Sequence, residues 1–193
     1  MARLRIGPLP QSPEFHPVEL GWTKLRELSP ALSQAIAFPI GVGMLALLYG
    51  AWLNWAPGAA ILPDSRLGCL TIIFIVVIVH ESLHAIAHPG NGFSDETYIG
   101  FWPRQLTPYA HYVGEMSRNR AVVFLLLPFV VISVLPLFLS TVLSMPIPYG
   151  AFISPVNGLL SCVDLLGALL LVVQVPQSAI IRNQGWDTWW HAD

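Results

Sequence analysis

Two histidines and a glutamate stand close together in the stretch His80-Glu81-Ser82-Leu83-His84. On a helix, residues four positions apart lie on one face, so the two imidazoles can converge on one metal ion. Neutral imidazole is a good zinc ligand, and the carboxylate of Glu81, the next residue along the helix, can reach a metal-bound water. The spacing therefore predicts a zinc site formed by His80 and His84, with Glu81 as its general base.

The motif follows a strongly apolar run, residues 67–79, which is typical of a membrane-spanning helix. The alternative is a cluster of polar residues on a solvated helix surface, but the run before it is too apolar for such a surface. Ionisable groups inside a span cost about 2.5 kcal/mol or more each, so three of them in one turn require a function that retains them. A metal ion supplies that function.

The composition is that of a membrane protein. The chain of 193 residues has 54% hydrophobic and only 10% charged residues, whereas soluble domains carry about 25% charge. Its mean hydropathy is +0.63. A net charge of -2 offers no basic face for nucleic acid. Cys69 and Cys162 both fall within apolar runs, so no disulfide framework is implied.

Four apolar stretches are long enough to cross a bilayer, which requires about 20 residues each. We therefore predict a single domain, 1–193, with the fold of an all-α integral membrane protein built as a bundle of about four transmembrane helices. The predicted spans are 31–55, 67–88, 121–143 and 149–175. Residues 1–30 are expected to form a cytoplasmic or interfacial segment that contains a short helix near residues 17–28. Residues 176–193 are expected to form an interfacial tail rich in tryptophan.

The segment 89–120 lies between the second and third spans. Residues 97–102 and 108–113 are rich in aromatic and β-branched side chains, and residues 103–107 separate them. This pattern predicts a small β-hairpin inserted between the two helices.

The nine lysines and arginines predict the orientation of the chain. Eight of them lie before the first span, between the second and third, or after the fourth, and only Arg66 lies on the other side. The positive-inside rule therefore places both termini and the 89–120 hairpin in the cytoplasm of a multi-pass cell-membrane protein.

A catalytic zinc usually has three protein ligands and one open position, so a third ligand is needed. Asp164 is the one acidic residue in the predicted spans besides Glu81, and its depth in the bilayer is similar to that of the two histidines. The alternative is that Asp164 is protonated or hydrogen-bonded to a neighbouring helix. His88 is a rival ligand, but it lies about 12 Å along the helix axis from His80. We therefore expect His88 at the mouth of the site or in contact with its ligands.

Two further polar residues are candidates for roles near the site. Asn157 precedes Asp164 by seven residues and so lies on nearly the same helix face. It can donate a hydrogen bond to the metal site or to a developing oxyanion, or it can hold two helices together. His111 is expected to be exposed or interfacial, and it is a weaker candidate for contact with substrate.

Three stretches resemble a bacterial and archaeal family of membrane proteins described as zincin peptidases. They are His80-Glu81-Ser82-Leu83-His84-Ala85, residues 114–129, and Asp164-Leu165-Leu166-Gly167 with the chain as far as Arg182. The order of these elements is also similar to that of site-2 proteases, which are intramembrane zinc metalloproteases. The Leu-Asp-Gly pattern of site-2 proteases is missing, since Val163 and Leu165 flank Asp164. The resemblance implies Zn²⁺ bound by His80, His84 and Asp164.

The resulting hypothesis is an intramembrane zinc metalloprotease that cleaves membrane proteins or peptides, with the lipid bilayer as its surroundings and no nucleic-acid partner. Two alternatives remain open. One is a catalytically silent membrane protein that binds zinc or acts as a scaffold. The other is a small transporter of metal ions or protons that uses His80, Glu81 and Asp164 as a relay.

Overall fold

The computed structural model describes residues 2–56 and 63–192 of the chain. Two long helices come first: α1, Pro30–Trp55, and α2, Arg66–Ala87. Helix α1 begins with Pro30, whose missing amide hydrogen costs nothing in the first turn of a helix. Helix α2 begins after Ser65, whose hydroxyl accepts a hydrogen bond from the Gly68 amide at 3.0 Å.

The next apolar stretch is one continuous helical path with a widened turn in the middle. It consists of helix α3, Arg118–Pro128, a π-helical segment, Phe129–Val134, and helix α4, Leu135–Leu143. The Leu135 amide bonds to the carbonyl of Val130, five residues back, instead of four. The following residue, Pro136, has no amide hydrogen, and the helix widens just before it.

The last apolar stretch is a broken helix. Helix α5, Gly150–Leu160, and helix α6, Cys162–Gln174, meet at an angle of 52°. Three helical segments, 30–55, 66–87 and 118–143, are long and apolar enough to cross a membrane, and the bent pair makes a fourth if it is one span. These bounds lie within three residues of the four predicted spans, but the break at Ser161 was not predicted.

The predicted hairpin is present, and it belongs to a larger sheet. Strands β3, Thr97–Trp102, and β4, Thr107–Tyr112, pair antiparallel, with Thr97 opposite Tyr112. Strand β1, Arg3–Ile6, runs parallel to β3 on its other side. The strand order of this first sheet is β1-β3-β4, so β4 lies at an edge.

A second sheet joins three distant parts of the chain. Its strands are β2, Thr23–Lys24; β5, Glu115–Ser117; β6, Ile180–Gln184; and β7, Asp187–His191. They pair antiparallel in the order β2-β7-β6-β5. A core of buried side chains, including Leu25, Met116 and Ile181, connects this sheet to α3 and α6.

The prediction of an all-α fold is wrong: the protein is mixed α/β, with two sheets outside the helices. The tail predicted as an interfacial segment is a hairpin, which turns at Gly185 with a φ of 64°. Residues 17–28 form turns and then β2 instead of a helix. Extended segments satisfy their backbone groups by pairing with partners far away in the sequence, and a local pattern does not show those partners.

Candidate metal centre

Three side chains from two helices meet at one point. His80 and His84 lie in the last two turns of α2, and Asp164 lies in the first turn of α6, just after the break. The Nε2 atoms of the two histidines are 3.1 Å apart. Asp164 Oδ2 lies 3.2 Å from the first of them and 3.4 Å from the second. Both histidines are buried, and Asp164 is partly buried.

The other nitrogen of each imidazole is held by an acceptor. His80 Nδ1 is 2.9 Å from Asn157 Oδ1, and His84 Nδ1 is 2.8 Å from the carbonyl oxygen of Phe124. Because those oxygens only accept, both Nδ1 atoms carry the hydrogen, and both Nε2 atoms present a lone pair. Three acceptor atoms therefore face one another, and this arrangement requires a cation between them, either a proton or a metal ion.

The donor set fits zinc. Four ligands at 2.0–2.1 Å around a tetrahedral Zn²⁺ lie about 3.3–3.4 Å from one another. The three distances found here are 3.1, 3.2 and 3.4 Å. Two imidazoles and one carboxylate are the ligands of a well-known class of catalytic zinc site, which leaves the fourth position open for water. The structure thus brings the three predicted ligands together. Within the described part of the chain, they are the group of residues that could hold a metal ion.

Asn157 orients the ligand His80. Its side chain does not face the fourth, water-binding position of the expected metal site. Its Nδ2 atom donates to the Pro128 carbonyl at 3.1 Å and to Ser133 Oγ at 2.9 Å, so its Oδ1 atom is left to face His80. Ser133 and Ser154 in turn donate to each other's carbonyl oxygens at 2.8 and 2.9 Å. Asn157 is fully buried. It therefore supports a ligand and also joins α5 to the π-helical segment.

Glu81 lies beside the cluster and lines a cavity of about 400 Å³. The same cavity is lined by His80, His84, Asp164 and the turn and strand from Gln105 to His111. The Ala110 amide of strand β4 donates a hydrogen bond to the Glu81 carboxylate. The predicted base therefore faces an open space next to an edge strand.

His88 is not part of the cluster. It is completely buried at the C-terminal end of α2, with its Nδ1 atom 3.4 Å from Thr97 Oγ1. Its ring packs against Phe124, whose carbonyl holds His84, at a centroid distance of 5.0 Å. It does not lie at the mouth of the site.

The expectation that His111 is exposed is wrong, since only 8% of its surface is exposed. Its ring lines the cavity from the side of strand β4. The residues that the prediction missed are Ser133 and Phe124. Ser133 is a hydroxyl in the middle of an apolar run and could have been noticed, whereas a backbone carbonyl such as that of Phe124 leaves no signal in a sequence.

One of three comparisons with known proteins identifies a family for this chain. Curated proteins and solved structures gave no match, so the similarity to site-2 proteases stays a prediction. One family model, described as "Putative zincin peptidase", matches residues 73–180. The match contains all three predicted ligands and Glu81, and membership of the family implies zinc and a metallopeptidase. With more than half of its length matched, the chain belongs to this zincin peptidase family.

Proposed function

We propose that this protein is a membrane-embedded zinc metallopeptidase that hydrolyses peptide bonds of membrane-associated substrates. The observation that carries the proposal is the triangle of His80 Nε2, His84 Nε2 and Asp164 Oδ2, with sides of 3.1 to 3.4 Å. The spacing suits a tetrahedral zinc, and Glu81 lies beside it in a cavity large enough for several residues of a peptide. A metal ion satisfies all three of these acceptor atoms at once, whereas a single proton satisfies only two of them.

In this mechanism Glu81 moves protons. Zinc bound at such a site acts as a Lewis acid that lowers the pKa of water to about 7 and polarises a carbonyl group. Glu81 takes the proton of the attacking water as the new C–O bond forms, and it delivers that proton to the nitrogen as the C–N bond breaks. The Ala110 amide, which donates to Glu81, holds the carboxylate in position.

The architecture supports a location in a membrane. Many large apolar side chains on the outer faces of the helices are exposed, including Phe38, Leu47 and Phe74. Such a surface fits lipid and does not fit water. The two sheets connect the N-terminal segment, the 89–117 segment and the tail, so all three must lie on the same side of the bilayer. This is the arrangement that the eight-to-one charge distribution predicts.

Strand β4 offers a place for an extended substrate. The Val113 amide bonds to the carbonyl of Glu96 directly opposite, so the carbonyl groups of Pro108 and Ala110 point away from β3, toward the outer edge, where they can accept hydrogen bonds from a substrate backbone. That edge runs past Glu81 and borders the cavity. A protease must hold its substrate extended, because a helix hides its carbonyl groups, and adding a strand to β4 does this.

Replacing the base tests the proposal. We expect Glu81→Gln to abolish cleavage of a membrane-protein substrate and to leave zinc bound, because the amide cannot accept the proton but does not disturb the ligands. Ser82→Ala is the matched control, since Ser82 is the exposed neighbour whose hydroxyl bonds to the Ile78 carbonyl within α2. Cleavage by Glu81→Gln at the wild-type rate would remove Glu81 from the role of base. Bound zinc with no turnover by the wild type would favour the silent scaffold.

A further inference from the structure

The charges that line the cavity do not balance. Its walls carry three carboxylates, Glu27, Glu81 and Asp164, and no lysine or arginine from the part of the chain that the structure describes. Asp164 and Glu81 have roles in the proposed metal site, where zinc supplies the opposing charge. Glu27 has no such role, and its negative charge has no opposing charge on the walls of this largely apolar cavity.

Glu27 is held in place by a neutral residue. Its Oε1 atom accepts from the Thr188 amide at 2.5 Å, and its Oε2 atom accepts from the Thr188 hydroxyl at 3.3 Å. The nearby cation, Lys24, is paired with Asp187 at 2.7 Å. Burial raises the pKa of Glu27 to about 7. A carboxylate kept out of water without a cationic partner costs free energy, and a cation from outside would recover it.

His111, which lines the same cavity, carries a second unpaired acceptor. The His111 imidazole donates a hydrogen bond to the carbonyl of Pro10, and its Nε2 atom has no partner. Burial lowers the pKa of His111 to about 4, so the ring is neutral and Nε2 carries a lone pair. The imidazole is more than nine-tenths buried, so water does not readily satisfy that lone pair. The lone pair therefore adds to the negative potential of this wall of the cavity.

Aromatic rings complete the surroundings. Trp102, Tyr109 and Trp186 all line the cavity. The Trp186 indole donates to the carbonyl of Leu28 at 2.8 Å, which places this ring next to Glu27 in the fold. Aromatic faces attract ammonium and guanidinium groups, more strongly where water is excluded.

We infer that the part of the cavity between Glu27, Trp186 and His111 binds a positively charged group of the substrate. The group is an ammonium or a guanidinium, from a lysine or arginine side chain or from a free amino terminus. Glu27 accepts its hydrogen bonds, Trp186 contacts its charge, and the lone pair of His111 adds to the attraction. The inference rests on the proposed peptidase function, and it adds a preference for cationic substrates to it.

Binding of a small amine tests the inference without any need for cleavage. The purified protein is titrated with butylamine and, separately, with butanol, and the quenching of tryptophan fluorescence is followed. A charge-assisted hydrogen bond predicts that butylamine binds about tenfold or more tightly than butanol. Glu27→Gln should remove this difference, and Glu19→Gln, an exposed acidic residue in the same segment, should keep it. Equal affinities for the two compounds, or an unchanged difference in Glu27→Gln, would overturn the inference.

Peptides identify the source of the charge. On Glu81→Gln protein, the affinity of an amino-blocked peptide with one lysine is compared with that of its norleucine analogue, blocked and unblocked. Tighter binding of the lysine peptide assigns the site to a side chain, and tighter binding of the unblocked norleucine peptide assigns it to an amino terminus. Equal binding of all three would contradict the inference. Binding of the amine without cleavage of any peptide would instead count against the peptidase function alone.

Discussion

At the scale of single residues, the metal centre depends on the hydrogen bonds that the Nδ1 atoms of its two histidine ligands make. His80 and His84 are one turn apart on α2, yet different elements orient them. Asn157 on α5 holds the first imidazole, and the Phe124 carbonyl on α3 holds the second. Each contact fixes which nitrogen carries the hydrogen, and so directs both lone pairs to the same point.

Removal of the Asn157 contact should weaken metal binding more than it weakens the fold. We expect Asn157→Leu to lower the affinity for zinc by about 10- to 100-fold, because the His80 ring loses its preferred orientation. Competition with a chelator measures this affinity. Ser140→Ala is the control, since it also removes a buried polar group that donates to a backbone carbonyl, but at a position away from the site. Equal zinc affinities in the two variants would show that Asn157 only joins helices.

Much of this site could be predicted at the residue level because the chemistry is rare in an apolar chain. His80 and His84 followed from their spacing, and Asp164 followed from the scarcity of acidic residues in the spans. The role of Asn157 stayed open because one helix face is compatible with both a metal contact and a contact between helices. The structure shows that Asn157 contacts the metal ligand His80 and also joins two elements, through different atoms of the same amide.

At the scale of elements, the break at Ser161 brings Asp164 to the histidines. The Ser161 hydroxyl donates to the Asn157 carbonyl at 2.9 Å, and α6 starts at a new angle directly afterwards. Asp164 thus lies in the first turn of a helix, where the free amide groups and the helix dipole favour a negative charge. A single span over 149–175 was predicted because most of its residues are apolar, and that pattern does not show the bend.

Protonation of His111 on strand β4 should lower the stability of the protein in acid. The pKa of buried His111 is lowered to about 4, below the usual 6.5, so its stabilising contribution is complete above pH 6.5 and is lost as the pH falls toward 4. At pH 5 the loss is about 2 kcal/mol. We expect the apparent melting temperature of the wild type to fall more steeply from pH 7 to 5 than that of His111→Asn, which keeps a donor for Pro10 but does not titrate.

Exposed His16 provides the control for this measurement. His16→Asn should follow the wild-type melting temperature over the whole pH range. If His111→Asn also follows it, the protonation of His111 does not limit stability in acid.

At the scale of the whole molecule, the two sheets connect three segments that the helices separate along the chain: the N-terminal segment, the segment between α2 and α3, and the tail. The N-terminal residues pair with β3 and β7, and the tail pairs with β5. None of these pairings is visible in the sequence, because each joins residues that are far apart along the chain. The local hairpin at 97–112 was predictable, since aromatic and β-branched residues flank its turn on both sides.

This connection predicts the result of a topology experiment. In a Cys69→Ala, Cys162→Ala background, Glu19→Cys, Phe93→Cys and Ser178→Cys should behave alike, because these exposed positions belong to the segments that the sheets join. On intact cells, an impermeant maleimide should leave all three unlabelled and should label Asp64→Cys, which follows α1 on the opposite side. Permeabilisation should allow all four to react. Labelling that differs among the first three positions would contradict the proposed membrane arrangement.

The central claim is that His80, His84 and Asp164 together hold one zinc ion, and metal analysis of detergent-purified protein tests it most directly. We predict about one zinc per chain in the wild type and in His16→Ala, and a loss of most of it in both His84→Ala and Asp164→Ala. Size-exclusion chromatography of each variant confirms that it remains folded. A wild type without metal, or an Asp164→Ala variant that retains its full complement of zinc, would contradict the account.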